Sequence, residues 1–216
     1  MYPYVIFDLD GTLLNTIDDL ADAGNWVCAS HGWPTHSVDA FKYFVGNGIP
    51  KLVERMIPEE HRTPNRLKNL LAEFMARYDA HKEDKTAPYP GIPELLDQLR
   101  TAGVKMAVLT NKADLVAGPV MEHYCPGVFP VVQGALPDVP TKPDPTLLRR
   151  LMERMGAEPE RTLFVGDSNV DIRTAKNGGL TGCGVLWGFR TREELEAEGA
   201  DFIVETPAQL AELILT

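Results

Sequence analysis

The chain has 216 residues, of which 31 are acidic and 21 are basic, so its formal charge is −10. Hydrophobic residues make up 44% and charged residues 24%, which excludes a disordered or fibrous chain and fits a globular protein with a sizeable core. The acidic balance argues against nucleic acid or a membrane as a partner, although a local site of opposite sign can still bind an anion.

The cysteines and the opening residues indicate a reducing compartment. Cys28, Cys125 and Cys183 are far apart and form no CxxC pair, so we expect neither a disulfide framework nor a zinc knuckle. The first residues lack the basic and apolar regions of a signal peptide, and no apolar run approaches the ~18 residues that span a bilayer. We therefore expect a cytoplasmic protein. Its oligomeric state is expected to be a monomer or a homodimer.

Short apolar runs alternate with amphipathic stretches along the chain. The runs at 4–7, 104–109 and 162–165 end on polar or acidic residues and predict buried parallel strands, and weaker runs lie at 129–132, 183–187 and 202–204. Helices with readable ends are predicted between them. They begin after Gly91, after Asp144, near Val170 and near Pro207, and the first three end at Gly103, Gly156 and Gly178.

Residues 15–85 differ from the rest because apolar residues recur there at helical spacing and no strand is predicted. A segment of about 70 residues is too long for a simple crossover, whose helix usually has about 10–15 residues. The sequence therefore predicts an α/β core with a central parallel sheet, built from 1–14 and 86–216, and an inserted helical unit at 15–85.

Polar side chains follow three of the predicted strands. Asp8 and Asp10 follow the first, Thr110 and Asn111 the second, and Asp167 the third. Because the carboxyl ends of parallel strands meet at one edge, where ligands bind in open sheets, we expect these side chains to lie together. Two close carboxylates repel, so such a site needs a cation or a raised pKa.

Four motifs in order carry a resemblance over essentially the whole chain. They are the segments at 8–12 (DLDGT), 110–111 (TN), 142–145 (KPDP) and 166–171 (GDSNVD). They resemble those of the haloacid dehalogenase superfamily, and specifically its phosphoglycolate phosphatase-like branch. The resemblance implies a Rossmann-like core whose parallel sheet is flanked by helices, with residues 15–85 as an all-helical cap domain.

The resemblance also implies the roles of the motif residues. Asp8 is expected to be the nucleophile that forms an aspartyl phosphate, and Asp10 the general acid and then base. Mg²⁺ is expected on the Asp8 carboxylate, the Asp10 backbone carbonyl and Asp167. Asp171 is expected either to reach the metal, directly or through water, or to orient Lys142. Thr110, Asn111 and Lys142 are expected to bind the phosphoryl group. Ser168 is an equal candidate for a site residue and for a helix N-cap. The segment 187–190 follows a late strand, and packing is favoured over a position at the border of the site.

The expected reaction is hydrolysis of a small phosphomonoester. The dehalogenases resemble this pattern at the first Asp but lack the second carboxylate, because halide leaves without a proton, so Asp10 favours phosphoryl chemistry. The segment 45–50, followed by 52–55, resembles the cap segment of phosphoglycolate phosphatases. Gly46, Asn47, Gly48 and Lys51 are therefore candidates for binding a small carboxylate, with an ordinary loop as the alternative. 2-Phosphoglycolate is the first-choice substrate.

Several other activities share these motifs. They are phosphatases of sugar phosphates or nucleotides, inorganic pyrophosphatase and a β-phosphoglucomutase-like phosphomutase. Phosphonate cleavage requires a lysine in the inserted unit that forms a Schiff base, and none is singled out by its surroundings. A non-catalytic, phosphate-dependent binding protein is the alternative from a different class.

Overall fold

The computed structural model describes residues 1–216 and contains one six-stranded parallel sheet with the strand order β5-β4-β1-β6-β7-β8. The chain forms two compact units, which we call the core unit (Met1–Leu14 and Pro88–Thr216) and the helical unit (Asn15–Ala87). The strands are β1 (Tyr4–Phe7), β2 (Leu14–Asn15), β3 (Ala87–Pro88), β4 (Lys105–Ala113), β5 (Val131–Ala135), β6 (Thr162–Gly166), β7 (Thr181–Val185) and β8 (Phe202–Val204).

Helices make up most of the remaining structure. They are α1 (Ile17–Ser30), α2 (Val38–Phe44), α3 (Ile49–Met56), α4 (Pro64–His81), α5 (Ile92–Thr101), α6 (Asp114–Tyr124), α7 (Thr146–Met155), α8 (Asn169–Gly178), α9 (Arg192–Ala197) and α10 (Pro207–Leu215). Short 3₁₀ turns lie at Glu59–His61 and Pro159–Arg161. None of the helices combines the length and the apolar character that a bilayer crossing requires.

The first strand, β1, lies in the middle of the sheet and explains the continuous apolar runs. Phe7 is paired in parallel with Val108 of β4 on one side and with Val165 of β6 on the other. Alternate β1 residues face two separate cores. Val5 and Phe7 pack with α5, α6 and α10, whereas Ile6 packs with α7 and α8. A strand covered on both faces is apolar throughout, so the predicted α/β fold with helices on both faces of a parallel sheet is confirmed.

Several predicted boundaries are wrong. The strand β4 does not end at Leu109 but continues to Ala113, with a register shift in which Leu109 pairs with Gln133 and Ala113 with Ala135. Four residues on β4 therefore advance past two on β5, a bulge that apolar patterning does not reveal. The strand β5 also lies two residues later than its apolar run suggests, and β7 two residues earlier.

Two helices also differ from expectation. No helix is predicted at 114–124, where the structure has α6; Gly118 and Pro119 inside it are residues that ordinarily break helices. The helix α7 begins at Thr146 rather than at Pro145, and the Asp144 carboxylate accepts a hydrogen bond from the Thr146 backbone N–H at 2.9 Å. Asp144 therefore still satisfies a helix N-terminus, one residue later than predicted.

The helical unit has its own buried contacts. Gly24 of α1 faces the Phe41 ring so closely that a Cβ would lie 2.5 Å from it, so the close packing of α1 and α2 requires glycine there. The buried Asp19 carboxylate accepts hydrogen bonds from the backbone N–H groups of Lys85 and Thr86 and from the Thr86 hydroxyl. These bonds attach the end of the unit to its first helix.

Candidate active site

The site begins where β1 ends. The Asp8 N–H donates to the Val165 carbonyl at 2.8 Å, so Asp8 is still held in sheet register beside β6. The chain then turns at Gly11, which has a φ of 87°. A Cβ on Gly11 would lie 2.5 Å from the Asp167 carboxylate. Only glycine therefore allows the turn after β1 to approach the acidic residue that follows β6.

Three buried carboxylates converge at this edge. Asp8, Asp167 and Asp171 each offer an oxygen, and these atoms lie within 4.8 Å of one another. Burial, aided by the Asp171 carboxylate and opposed by Lys142, raises the pKa of Asp8 well above its usual value. Burial, again aided by Asp171, raises the pKa of Asp167 to about 7. Negative charge is unfavourable here without a counterion, and an all-oxygen donor set fits a hard divalent cation such as Mg²⁺.

Lys142 is a buried ammonium between two of these carboxylates. Its Nζ lies 2.8 Å from Asp8 Oδ1 and 2.7 Å from Asp171 Oδ1, and its side chain is 3% exposed. Burial alone lowers the pKa of Lys142, but the adjacent Asp171 and Asp8 carboxylates outweigh that effect and raise it. Lys142 therefore stays charged and supplies a fixed positive charge next to Asp8.

The backbone of Lys142 is held by the side chain of Asn111. The Lys142 N–H donates to Asn111 Oδ1 at 2.9 Å, and Asn111 Nδ2 donates to the Lys142 carbonyl at 3.1 Å. The side chain of Asn111 thus positions Lys142, and a contribution of its backbone N–H to phosphate binding stays a prediction. Thr110 Oγ1 accepts from the Lys112 N–H at 3.1 Å, which leaves the hydroxyl hydrogen for another acceptor.

Asp171 supports Lys142 from the start of α8. One of its oxygens accepts from Lys142, and the other accepts from the backbone N–H of Ser168 at 3.0 Å and from its hydroxyl at 2.6 Å. Ser168 is the N-cap of α8 and forms a capping box with Asp171. Asp171 thus contacts Lys142 and also belongs to the acidic cluster, so both expectations for it stay predictions.

Two groups to which the sequence assigned no role orient Asp167. Its Oδ1 accepts from the Thr12 hydroxyl at 3.2 Å, and its Oδ2 accepts from the Phe189 backbone N–H at 2.8 Å. The indole N–H of Trp187 donates to the Thr12 carbonyl at 2.9 Å. The segment 187–190 therefore does more than pack, because it closes onto the acidic cluster and fixes one of its carboxylates. The position of 187–190 after a late strand was the only sequence signal for this contact with Asp167.

Gly188 brings this segment against Asp167. A Cβ on Gly188 would lie 2.2 Å from Asp167 Cβ and 2.4 Å from the Gly11 carbonyl oxygen. We expect Gly188→Ala to destabilise the fold by about 1–3 kcal/mol through overpacking, and to weaken Mg²⁺ binding by roughly 10- to 100-fold because Asp167 is displaced. Urea denaturation and Mg²⁺ titration measure the two effects.

Gly118 provides the matched control for that variant. It lies inside α6, has no positive φ, and nothing lies within 4 Å of an added Cβ. We expect Gly118→Ala to leave Mg²⁺ binding unchanged and to stabilise the protein by up to about 1 kcal/mol. Unchanged stability and metal affinity in Gly188→Ala would contradict the role assigned to the 187–190 segment.

Asp10 has a partner that sequence reasoning missed. Lys112 Nζ donates to Asp10 Oδ1 at 2.9 Å and to Oδ2 at 3.3 Å, and the two side chains are 3% and 14% exposed. The available signal was a lysine directly after Thr110 and Asn111. The extension of β4 beyond Leu109 is what directs Lys112 to the site.

The four candidates for carboxylate recognition lie in the helical unit. Gly46 and Gly48 have φ angles of 116° and 83°, so both adopt the glycine-favoured conformation that an exposed amide turn needs. Asn47 Oδ1 accepts from Arg55 at 2.8 Å, and Lys51 forms an ion pair with Glu54 at 2.8 Å. Their role in substrate recognition stays a prediction.

Known proteins are similar to this chain in sequence and in fold. The model of the haloacid dehalogenase-like hydrolase family matches residues 5–185. A phosphoglycolate phosphatase of Pseudomonas putida is 35% identical over 208 residues, which cover 93% of this chain and 75% of that protein. A phosphoglycolate phosphatase of Vibrio parahaemolyticus is 32% identical, with 97% and 95% of the two chains covered.

Solved structures agree with this assignment. A crystal structure from Lactobacillus delbrueckii superposes with a TM-score of 0.93 at 33% identity and covers 99% of this chain and 98% of that chain. CbbY from Rhodobacter sphaeroides, in complex with phosphate, has a TM-score of 0.79 at 26% identity, with 97% and 96% covered. The chain therefore belongs to the haloacid dehalogenase-like hydrolases and is an enzyme of their phosphatase branch.

Proposed function

We propose that this enzyme is a Mg²⁺-dependent phosphomonoesterase that works through an aspartyl phosphate on Asp8. The observation that carries the proposal is the arrangement around Asp8, where the buried carboxylates of Asp167 and Asp171 and the ammonium of Lys142 meet at the carboxyl edge of the sheet. A carboxylate can attack a phosphoryl group only where its own negative charge and that of the phosphate are both offset.

The proposed reaction has two steps, and each residue of the site has a distinct role in them. In the first step Asp8 Oδ bonds to phosphorus, the phosphorus–oxygen bond of the ester breaks, and Asp10 gives its proton to the leaving oxygen. In the second step Asp10 removes a proton from water, the water oxygen bonds to phosphorus, and the Asp8–phosphorus bond breaks. The Lys142 ammonium and the Thr110 hydroxyl stabilise the phosphoryl oxygens in both steps.

Asp8, the Asp10 backbone carbonyl and Asp167 are the groups that would hold Mg²⁺, with Asp171 beside them. The cation supplies positive charge that lets an anionic carboxylate approach an anionic phosphate. The carboxylates of Asp8, Asp167 and Asp171 repel one another when no cation offsets their charge, which supports this assignment.

The proposed substrate is 2-phosphoglycolate, which yields glycolate and phosphate. Curated relatives at 32–35% identity carry the name phosphoglycolate phosphatase. We also propose that residues 15–85 are the cap over the substrate, with Gly46, Asn47, Gly48 and Lys51 as recognition residues. The test is Mg²⁺-dependent phosphate release from 2-phosphoglycolate, sugar phosphates, nucleotides, pyrophosphate, a sugar bisphosphate and an aryl phosphate.

The panel separates the proposal from its competitors. We expect kcat/KM for 2-phosphoglycolate to exceed that of every other compound by at least about tenfold. Equal rates across the panel would leave a phosphatase of broad substrate range and remove the named substrate. Preferred hydrolysis of pyrophosphate, or a requirement for the sugar bisphosphate, would instead favour the pyrophosphatase or mutase.

Mg²⁺ binding has its own expected result. At a hundred times its Kd, Mg²⁺ is expected to raise the melting temperature by about 5–10 °C, because only the folded chain assembles the carboxylate cluster. Asp167→Asn is expected to remove most of this shift. The pKa of Asp167 is raised to about 7, so the proton-bound form that excludes the metal prevails below that pH. The shift at a fixed, sub-saturating Mg²⁺ concentration should therefore be larger at pH 8 than at pH 6, and thermal unfolding measures it. An equal shift in Asp167→Asn would place the metal elsewhere.

A further inference from the structure

The core unit contains a second buried lysine that the proposed reaction does not use. Lys112 lies near the carboxyl end of β4, its side chain is 3% exposed, and its ammonium contacts both oxygens of Asp10. Asp10 is the residue that must reach the leaving oxygen. The ion pair of Lys112 therefore involves the residue that is proposed to transfer the proton.

The two buried lysines pair with different carboxylates. Lys142 is paired with two carboxylates, and Asn111 clamps its backbone at two points, so its position is fixed. The ion pair of Lys112 is formed with Asp10, and it occupies both carboxylate oxygens. A general acid has to lie about 2.6–3.2 Å from the oxygen it protonates. We expect Asp10 to give up part of its contact with Lys112 when it turns one oxygen toward the leaving oxygen of a bound ester.

The geometry points to Lys112 as the residue that recognises a second anionic group on the substrate, namely a carboxylate one carbon away from the leaving oxygen. This inference rests on the proposed function. The leaving oxygen of such an ester is within hydrogen-bond reach of Asp10, and only one methylene separates it from the carboxylate. The carboxylate is therefore close enough to take over the ammonium that Asp10 releases.

Energetics favour this exchange of partners. Separating a buried ammonium from its carboxylate is unfavourable when nothing replaces the partner. An ester that carries its own carboxylate offers Lys112 a new partner in place of Asp10. An ester with an uncharged group at that position offers none, so Asp10 stays paired with Lys112. Lys112 is thus a specificity-determining residue that couples recognition of the substrate carboxylate to the release of Asp10.

The experiment compares two esters of equal length. One is 2-phosphoglycolate, and the other is 2-hydroxyethyl phosphate, in which a hydroxymethyl group replaces the carboxylate. The ratio of their kcat/KM values is measured for the wild type, Lys112→Met and Lys112→Arg. Both esters are assayed on one preparation of each protein, so any loss of folded enzyme cancels in the ratio. Lys105→Met is the matched control, because Lys105 is an exposed lysine at the start of the same strand.

We expect Lys112→Met to lower the preference for 2-phosphoglycolate by about 10- to 100-fold, the size of a charge-assisted hydrogen bond. Lys112→Arg should keep a large part of the preference, and Lys105→Met should keep all of it. The inference is overturned if Lys112→Met slows both esters equally, since Lys112 would then only position Asp10. It is also overturned if Lys51→Met removes the preference and Lys112→Met does not.

Failure of the proposed function gives a different result. In that case the wild type releases no phosphate from either ester beyond the rate of Asp8→Asn, and both the function and this inference are withdrawn. A wild type that hydrolyses both esters but shows no preference for the carboxylate leaves the phosphatase intact and overturns only the role of Lys112.

Discussion

Asp8→Asn is expected to lower kcat/KM for every phosphomonoester by at least about 10⁴-fold, because an amide cannot serve as the nucleophile. The substitution keeps the shape of the side chain. Burial already raises the pKa of Asp8, which means that its charge is unfavourable in the folded protein without a cation. We therefore expect the melting temperature in EDTA to be equal to or higher than that of the wild type. Phosphate release and thermal unfolding measure the two effects.

The combination of lost turnover and retained stability is the informative result. Mass spectrometry of the purified variant controls for deamidation, which would restore the aspartate and with it some activity. Asp8→Glu is the matched charge-preserving variant, and it should also be inactive because the added methylene displaces the attacking oxygen. Turnover within about tenfold of the wild type in Asp8→Asn would refute covalent catalysis at this residue.

Lys142→Met is expected to destabilise the protein by about 3–5 kcal/mol, because it removes the ammonium shared by two buried carboxylates and leaves both without that positive charge. It should also abolish measurable phosphate release, since the positive charge next to Asp8 is lost. Urea denaturation in EDTA gives the change in the free energy of unfolding. Lys105→Met, on the surface of the sheet, should change it by no more than about 0.5 kcal/mol.

A double variant separates stability from catalysis at this position. In Lys142→Met/Asp171→Asn one of the two carboxylates is neutral, so part of the lost free energy of unfolding should return. Activity should not return, because the charge near Asp8 is still missing. Equal stability of the single and double variants would contradict this account, because it would mean that the charge left on Asp171 does not destabilise Lys142→Met.

The sequence was sufficient for the scaffold because the sheet buries both of its faces. Continuous apolar runs marked β1, β4 and β6, and each was followed by the polar groups that the structure brings near Asp8. Parallel strands end at a common edge, so sequence order alone predicts that Asp8 and Asp167 meet. For Ser168 the sequence left two alternatives, and the structure has it as the N-cap of α8, in a capping box with Asp171.

What the sequence could not show depends on contacts between distant segments. Lys112 reaches Asp10 only because β4 continues past Leu109 with a shifted register against β5, and no local pattern encodes that shift. The Phe189 backbone N–H that holds Asp167 has no side-chain signature at all. The helix α6 was missed because burial of its apolar face outweighs the low helix propensity of Gly118 and Pro119.

Trapping of the phosphorylated enzyme tests the central claim most directly. An aryl phosphate with an electron-poor ring needs no proton on its leaving group, so Asp10→Asn should still transfer the phosphoryl group to Asp8 but should be slow to hydrolyse it. The account predicts a burst of one equivalent of phenolate per enzyme, followed by slow turnover, with phosphate on the peptide that contains Asp8. The absence of both the burst and the modified peptide, in a variant that still turns over, would contradict it.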